Sequence, residues 1–123
     1  MPTTPLTLSD PHPASAARRT SCSSRDTTLH LTADEADRFA ALSKTLGHPV
    51  RVQIVDLLSR YGGDVCVCDI ERHFDLTQPT ISHHLKVLRE AGLIDAEQRG
   101  LWIYYQLRPG TLDGLRDWLD HLK

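Results

Sequence analysis

From residue 29 onward the apolar positions recur with helical spacing. Thr32-Ala33-Asp34-Glu35 is a Thr-x-x-Glu pattern, in which two side chains can satisfy orphan amides at a helix start. It predicts a first helix over 33–46, ended by Gly47 as a left-handed cap and by Pro49. Val50, Ile54, Leu57 and Leu58 then fall at i, i+4, i+7 and i+8, one face of a second helix that Gly62-Gly63 terminates. A short third helix over 68–74 would turn Ile70 and Phe74 inward. Thr77 precedes Gln78-Pro79, a capping hydroxyl before a first-turn proline, and so opens a fourth helix. Its buried stripe is Ile81, Leu85 and Leu88, with Thr80, His83, Lys86 and Glu90 outward and Ala91-Gly92 at its close. Segments 93–98 and 101–107 flank Arg99-Gly100, and Ile103, Tyr105 and Leu107 alternate with Trp102, Tyr104 and Gln106, which predicts a two-stranded hairpin. Leu112, Leu115, Leu119 and Leu122 form the stripe of a last helix.

Two short helices joined by Asp75-Leu76-Thr77 and followed by a hairpin read as a helix-turn-helix with a wing, an α+β fold that is mostly α. The second helix of that pair would enter a DNA major groove. The apolar faces at 33–46 and 112–122 have little interior left to hide in, so they are expected to bury each other across a two-fold axis. The expected assembly is a homodimer through its N- and C-terminal helices, carrying two reading heads. Residues 1–28 contain 15 Ser, Thr or Pro and almost nothing apolar after Leu8, too little to offset the entropy of ordering. The expected organisation is a disordered tail over 1–28, carrying Cys22, and a winged helix-turn-helix DNA-binding and dimerisation domain over 29–123.

Composition narrows the class. A chain of 123 residues supports one core, and 14 Lys+Arg against 16 Asp+Glu exclude a polybasic nucleic-acid arm. Local charge matters more than the total: residues 78–92 carry Lys86 and Arg89 against Glu90 alone, a mildly basic surface. No run approaches eighteen apolar residues and no secretory leader is visible, so the expectation is a cytoplasmic protein without a membrane partner. Three cysteines, Cys22, Cys66 and Cys68, make no disulfide framework. In a reducing compartment Cys66-Val67-Cys68 reads as a soft-metal or redox site, or as two small buried side chains. No Cys-x-x-Cys, phosphate loop or Ser-His-Asp order is present, so no enzyme and no organic cofactor are expected.

Three runs carry a resemblance: Val65-Cys66-Val67-Cys68-Asp69-Ile70; the stretch from Thr77-Gln78-Pro79-Thr80-Ile81-Ser82-His83-His84 to Leu93; and Arg99-Gly100-Leu101-Trp102-Ile103-Tyr104-Tyr105. Together they resemble the ArsR/SmtB family of metalloregulatory repressors over about residues 32–122, with Cys-Val-Cys-Asp specific to its thiolate-sensing branch. The resemblance implies a winged-helix homodimer that holds an inverted-repeat operator of double-stranded DNA and leaves it when an ion binds, controlling resistance to arsenic, antimony or a soft divalent metal. It places Gln78, Thr80, Ser82 and His83 toward the major groove and Lys86 and Arg99 nearer phosphates. Helical spacing supports Thr80, His83 and Lys86 independently. A metal site at His83-His84 is disfavoured, because adjacent helical side chains point about 100° apart.

On a regular helix Cys66 and Cys68 would diverge by about 200°, so the segment is expected to bend when an ion is gripped, distorting the start of the third helix. Two thiolates leave a three-coordinate site one ligand short. Arsenic-sensing relatives supply a third cysteine where this chain has Glu71, and Cys22 is the remaining thiol. The ten residues from Cys22 to Thr32 reach on the order of 30 Å when extended. Three soft sulfurs suit trivalent arsenic or antimony, with cadmium or lead the second choice and Asp69 or His73 as ligands to complete a four-coordinate site. Asp113, Asp117 and His121 lack the full spacing of the family's second zinc site, so no zinc is expected there. The competing reading is a repressor switched by thiol oxidation.

Overall fold

The computed structural model describes residues 25–122. Most of the expected tail, Cys22 included, lies outside the described residues, as does Lys123. Residues 25–30 carry no helix or strand. The unit that begins at Leu31 holds every described element.

Helix α1 spans Ala33–Thr45 and opens on the foreseen capping box: Thr32 Oγ1 accepts from Glu35 N at 3.1 Å, and Glu35 Oε1 accepts from Thr32 N at 2.9 Å. Its end differs from expectation. Leu46 is the C-cap at φ −80°, and Gly47 is not left-handed. Gly47 N instead donates to Lys44 O at 3.1 Å, so tight a turn that an added Cβ would lie 3.2 Å from that oxygen. Helix α2 spans Pro49–Tyr61, and the His48 ring caps it, Nδ1 accepting from Val50 N at 3.2 Å. Gly62, at φ 63°, closes it as a left-handed cap.

A strand absent from the sequence reading follows. β1, Val65–Cys66, runs directly into helix α3, Val67–Glu71. Helix α4, Gln78–Glu90, starts at Thr77, whose Oγ1 accepts from Thr80 N at 3.3 Å. Strands β2, Ile94–Arg99, and β3, Trp102–Leu107, form the wing in the register Arg99↔Trp102 to Ile94↔Leu107. The two-residue turn is Gly100-Leu101, one position later than the sequence indicates, and Gly100 supplies the positive φ of 63° that such turns require at their first position. β1 adds to the far side of β3, giving an antiparallel sheet in the order β1-β3-β2. Helix α5 spans Asp113–His121.

The core lies where α2, α3, α4 and the sheet meet. Ile54, Leu58, Ile70, Ile81, Leu85, Leu88, Leu93 and Ile94 are each under 2% exposed. Burial of each such side chain is worth about 1.5–3 kcal/mol relative to exposure, so this cluster fixes how α4 leans on the wing.

The apolar faces of α1 and α5 were expected to find each other across a two-fold axis. Within one chain the two helices also touch each other. Phe39 stacks on Trp118 with ring centroids 5.9 Å apart, and Gly114 lies so close that an added Cβ would sit 3.3 Å from the Phe39 ring. Leu119 and Leu122 remain about half exposed at the far end of this pair. Among the described residues no helix is long and apolar enough to cross a membrane.

Candidate nucleic-acid interface and thiol pair

Thr77 sets the start of α4, and Ile81, Leu85 and Leu88 set the face it buries. What remains outward is the candidate reading surface: Gln78, Thr80, Ser82, His83 and Lys86 are all exposed. Successive members three or four residues apart lie on one side of the helix and form a continuous strip. Gln78 sits at the first turn, where unpaired amides and the positive end of the helix dipole favour a phosphate. The Thr80 hydroxyl shares a hydrogen bond of 2.9 Å with the Thr77 hydroxyl, which orients it at the helix mouth.

Arg99, at the end of β2, is exposed but already engaged. Its guanidinium pairs with Asp64 and with Glu97 Oε1 at 2.9 Å, and it lies over the Tyr104 ring at 4.8 Å. These partners hold its pKa above the usual arginine range, the Glu97 and Asp64 hydrogen bonds being the main causes. A phosphate contact by Arg99 therefore has to displace two carboxylates. Asp64 stands 35 residues away in sequence, on the approach to β1, and nothing in the local pattern announces it.

The cysteines depart furthest from expectation. Cys66 is not on the helix: it is the N-cap of α3, with extended backbone at φ −64°, ψ 142°, and pairs through β1 with Tyr104 of β3. Cys68 lies in the first turn of α3. The change from strand to helix between them brings the two Sγ atoms to 2.7 Å, so the 200° divergence of a regular helix does not arise and no later bending is needed to bring the sulfurs together. Two sulfurs held by one ion at about 2.3 Å each are at most about 4.6 Å apart, so both side chains of this pair stand near enough to reach one centre. Both cysteines are free; Cys66 is buried and Cys68 half-buried. The hydrogen bond to Cys66, then burial, hold the Cys68 thiol above its usual pKa.

Asp69 and His73 line a cleft of about 260 Å³ beside this junction, together with Asp64 and Val65. Asp69 is paired with Arg72, and among the described residues no three His, Cys, Asp or Glu side chains form a metal-binding group. At the other end of the chain Asp113 pairs with Arg116 at 3.2 Å, and His121 Nδ1 lies 2.7 Å from Asp117 O.

The sequence reading missed one residue of α4. His84 is 5% exposed and packs between the other members of the buried stripe. It accepts a hydrogen bond from Arg51 Nε at 3.2 Å, and its ring lies 4.4 Å from that of His48. The signal was present: Ile81, His84, Leu85 and Leu88 fill i, i+3, i+4 and i+7.

Residues 48–96 match the family described as bacterial regulatory protein, arsR family. The chain is 40% identical to the transcriptional repressor SdpR of Bacillus subtilis over 62% of its length and 82% of that protein. It is also 40% identical to an arsenical resistance operon repressor of Staphylococcus xylosus, over 66% of this chain and 76% of that one. Among solved structures, the homodimeric winged helix-turn-helix DNA-binding domain of a Mycobacterium bovis protein, described as a possible ArsR-family transcriptional regulator, superposes with a TM-score of 0.59 at 26% identity, covering 80% of this chain and 94% of that one. The exposed strip of α4, the two-stranded wing that follows it and these likenesses agree: the chain belongs to the arsR family of bacterial regulatory proteins, as a DNA-binding transcriptional regulator and not an enzyme.

Proposed function

We propose that the protein is a homodimeric repressor that holds an inverted-repeat operator and releases it when trivalent arsenic or antimony binds cysteine thiolates. The observation that carries the reading is the 2.7 Å approach of Cys66 and Cys68, two free thiols at one strand-to-helix junction. Similarity to an arsenical resistance operon repressor favours arsenic over other soft ions. Three thiolates suit an ion whose lone pair fills the fourth direction, whereas zinc prefers tetrahedral closure. The third sulfur in this reading is Cys22, from the tail over 1–28 of the same or the partner subunit. Cadmium or lead, with a fourth ligand from Asp69 or His73, is the alternative filling.

Gln78, Thr80, Ser82 and His83 approach base edges, and Lys86 and Arg99 approach phosphates. The half-exposed Leu119 and Leu122 at the end of the α1–α5 pair are where a second copy covers apolar surface, in keeping with the homodimeric state of the Mycobacterium bovis domain. Cys66 belongs to the sheet that includes the wing, and Cys68 to the helix leading to α4. A ligand shared by the two therefore binds the wing's sheet to the scaffold helix of the reading unit, and it shifts affinity to the extent that it prefers one arrangement of the two.

Fluorescence anisotropy of a duplex selected by the protein from random-sequence DNA tests this, with arsenite, antimonite, cadmium, lead and zinc added in reductant. Arsenite is expected to release the duplex. Cys66→Ser and Cys68→Ser should bind DNA as before and no longer respond, and Cys22→Ser should respond less. An arsenite response unchanged in Cys22→Ser removes the tail from the site; no release by any soft ion with all thiols reduced removes the sensory reading. The oxidative alternative predicts release by peroxide alone, in the absence of any added ion, and its reversal by reductant.

A further inference from the structure

Arg51 joins three elements. Its Nε donates to His84 Nδ1 at 3.2 Å, and its Nη1 donates to Thr45 O at 3.2 Å. Thr45 is the last residue of α1, where carbonyls have no partner within their own helix, and His84 lies in the middle of α4. One guanidinium on α2 thus ties the C-terminal end of the first helix to the inner face of the DNA-facing helix. Ser82 and Lys86, two residues to either side of His84, point about 160° away from it, toward the reading surface.

The contact fixes the chemistry of the histidine. Arginine only donates, so Nδ1 must carry a lone pair and the imidazole must be neutral with its proton on Nε2. Protonation removes the acceptor and sets a second cation against the guanidinium. The titratable and charged groups facing the ring are His48, at the N-cap of α2, Arg51 on α2, and His83 on α4. Each of them opposes a charge on His84, as does burial, and its pKa lies below the ordinary histidine value for these reasons, burial first.

We propose that His84 is a positioning residue for operator recognition: as the neutral acceptor of Arg51 it sets the rotation of α4 relative to α1, and with it the register of the exposed strip on the DNA. The proposal rests on α4 being the groove-facing helix and is independent of the thiol pair. It goes beyond base and phosphate contacts, since His84 touches neither.

The test is anisotropy with the full-length protein and its selected duplex, at constant salt, from neutral pH down to the most acid pH at which circular dichroism still shows the folded protein. Wild-type affinity is expected to fall by about tenfold or more as His84 gains its proton, the range expected for a broken buried hydrogen bond. His84→Asn keeps an acceptor oxygen near the Nδ1 position and cannot titrate; it is expected to bind within about threefold of wild type at neutral pH, with the acid fall removed. His84→Leu and Arg51→Gln, checked for cooperative unfolding by circular dichroism, should each lose about tenfold at neutral pH. A His84→Asn protein with the wild-type pH profile overturns the proposal. So does an Arg51→Gln protein that binds as wild type, however the His84 variants fold. Lys86→Ala tests the separate premise: if it leaves both affinity and salt dependence unchanged, α4 does not face the DNA.

Discussion

The wing-tip arginine offers a quantitative test of how this chain tunes its hold on DNA. Arg99 is paired with Asp64 and Glu97, so each protomer withholds one guanidinium from the phosphate backbone. Asp64→Asn together with Glu97→Gln frees it at little cost to the fold, because the pairs are solvent-exposed and screened. Each phosphate newly neutralised steepens the fall of log affinity with log salt by about 0.9, so a homodimer gaining two contacts steepens by about 1.8. Between about 50 and 200 mM salt, a fourfold change, that slope is worth about a twelvefold additional loss of affinity, observed as tighter binding at the low end. Anisotropy titrations of the double variant and wild type across that range provide the comparison. Removing two carboxylates also lowers general repulsion, so the same double substitution in an Arg99→Ala background is the control. The reasoning is refuted if the slope does not change, or if it steepens equally without Arg99.

Other expectations concern the elements that hold the reading surface. Ile81→Ala, at a position with 0% exposure between α4 and the core, should lower stability by about 2–5 kcal/mol in urea unfolding. Thr77→Ala removes the cap of α4 and should cost about 1 kcal/mol by the same measurement, with looser operator binding because Thr80 loses its hydroxyl partner. Stability should also depend on pH through His84. Its folded pKa lies below the ordinary 6.5, so below that value the unfolded chain binds more protons than the folded one, and stability present above pH about 6.5 is lost as pH falls toward the folded value. Urea midpoints at pH about 7.5 and 5.5 should converge in His84→Asn relative to wild type.

Helices and hairpin were legible because each is a local pattern: a capping box, a proline in the first turn, an alternation closed by a positive-φ glycine. What the sequence hid was whatever depended on distant partners or on a change of geometry within a few residues. The divergence of Cys66 and Cys68 follows from spacing only if both lie on a helix, and β1 ends between them. A two-residue strand has too few positions to display a period, and only pairing with Tyr104 and Tyr105, far along the chain, reveals it. Counting apolar residues alone removed His84 from a stripe whose spacing it completes. That α1 and α5 also touch within one chain was not legible, because Phe39, Gly114 and Trp118 show how closely they fit only when both helices are folded back on one core.

The brevity of β1 has a consequence for how such a regulator can diversify. Val65 and Cys66 are held in register by main-chain pairing to β3, a bond pattern indifferent to which small side chain stands at either position. A donor atom of similar size at this corner, the oxygen of serine for the sulfur of cysteine, can therefore be exchanged while the main-chain register is kept. On the proposed reading, sensor chemistry and address recognition are separately heritable in this architecture, and a library varied only around residues 66 and 68 should yield proteins that find the same promoter while answering to different inorganic signals.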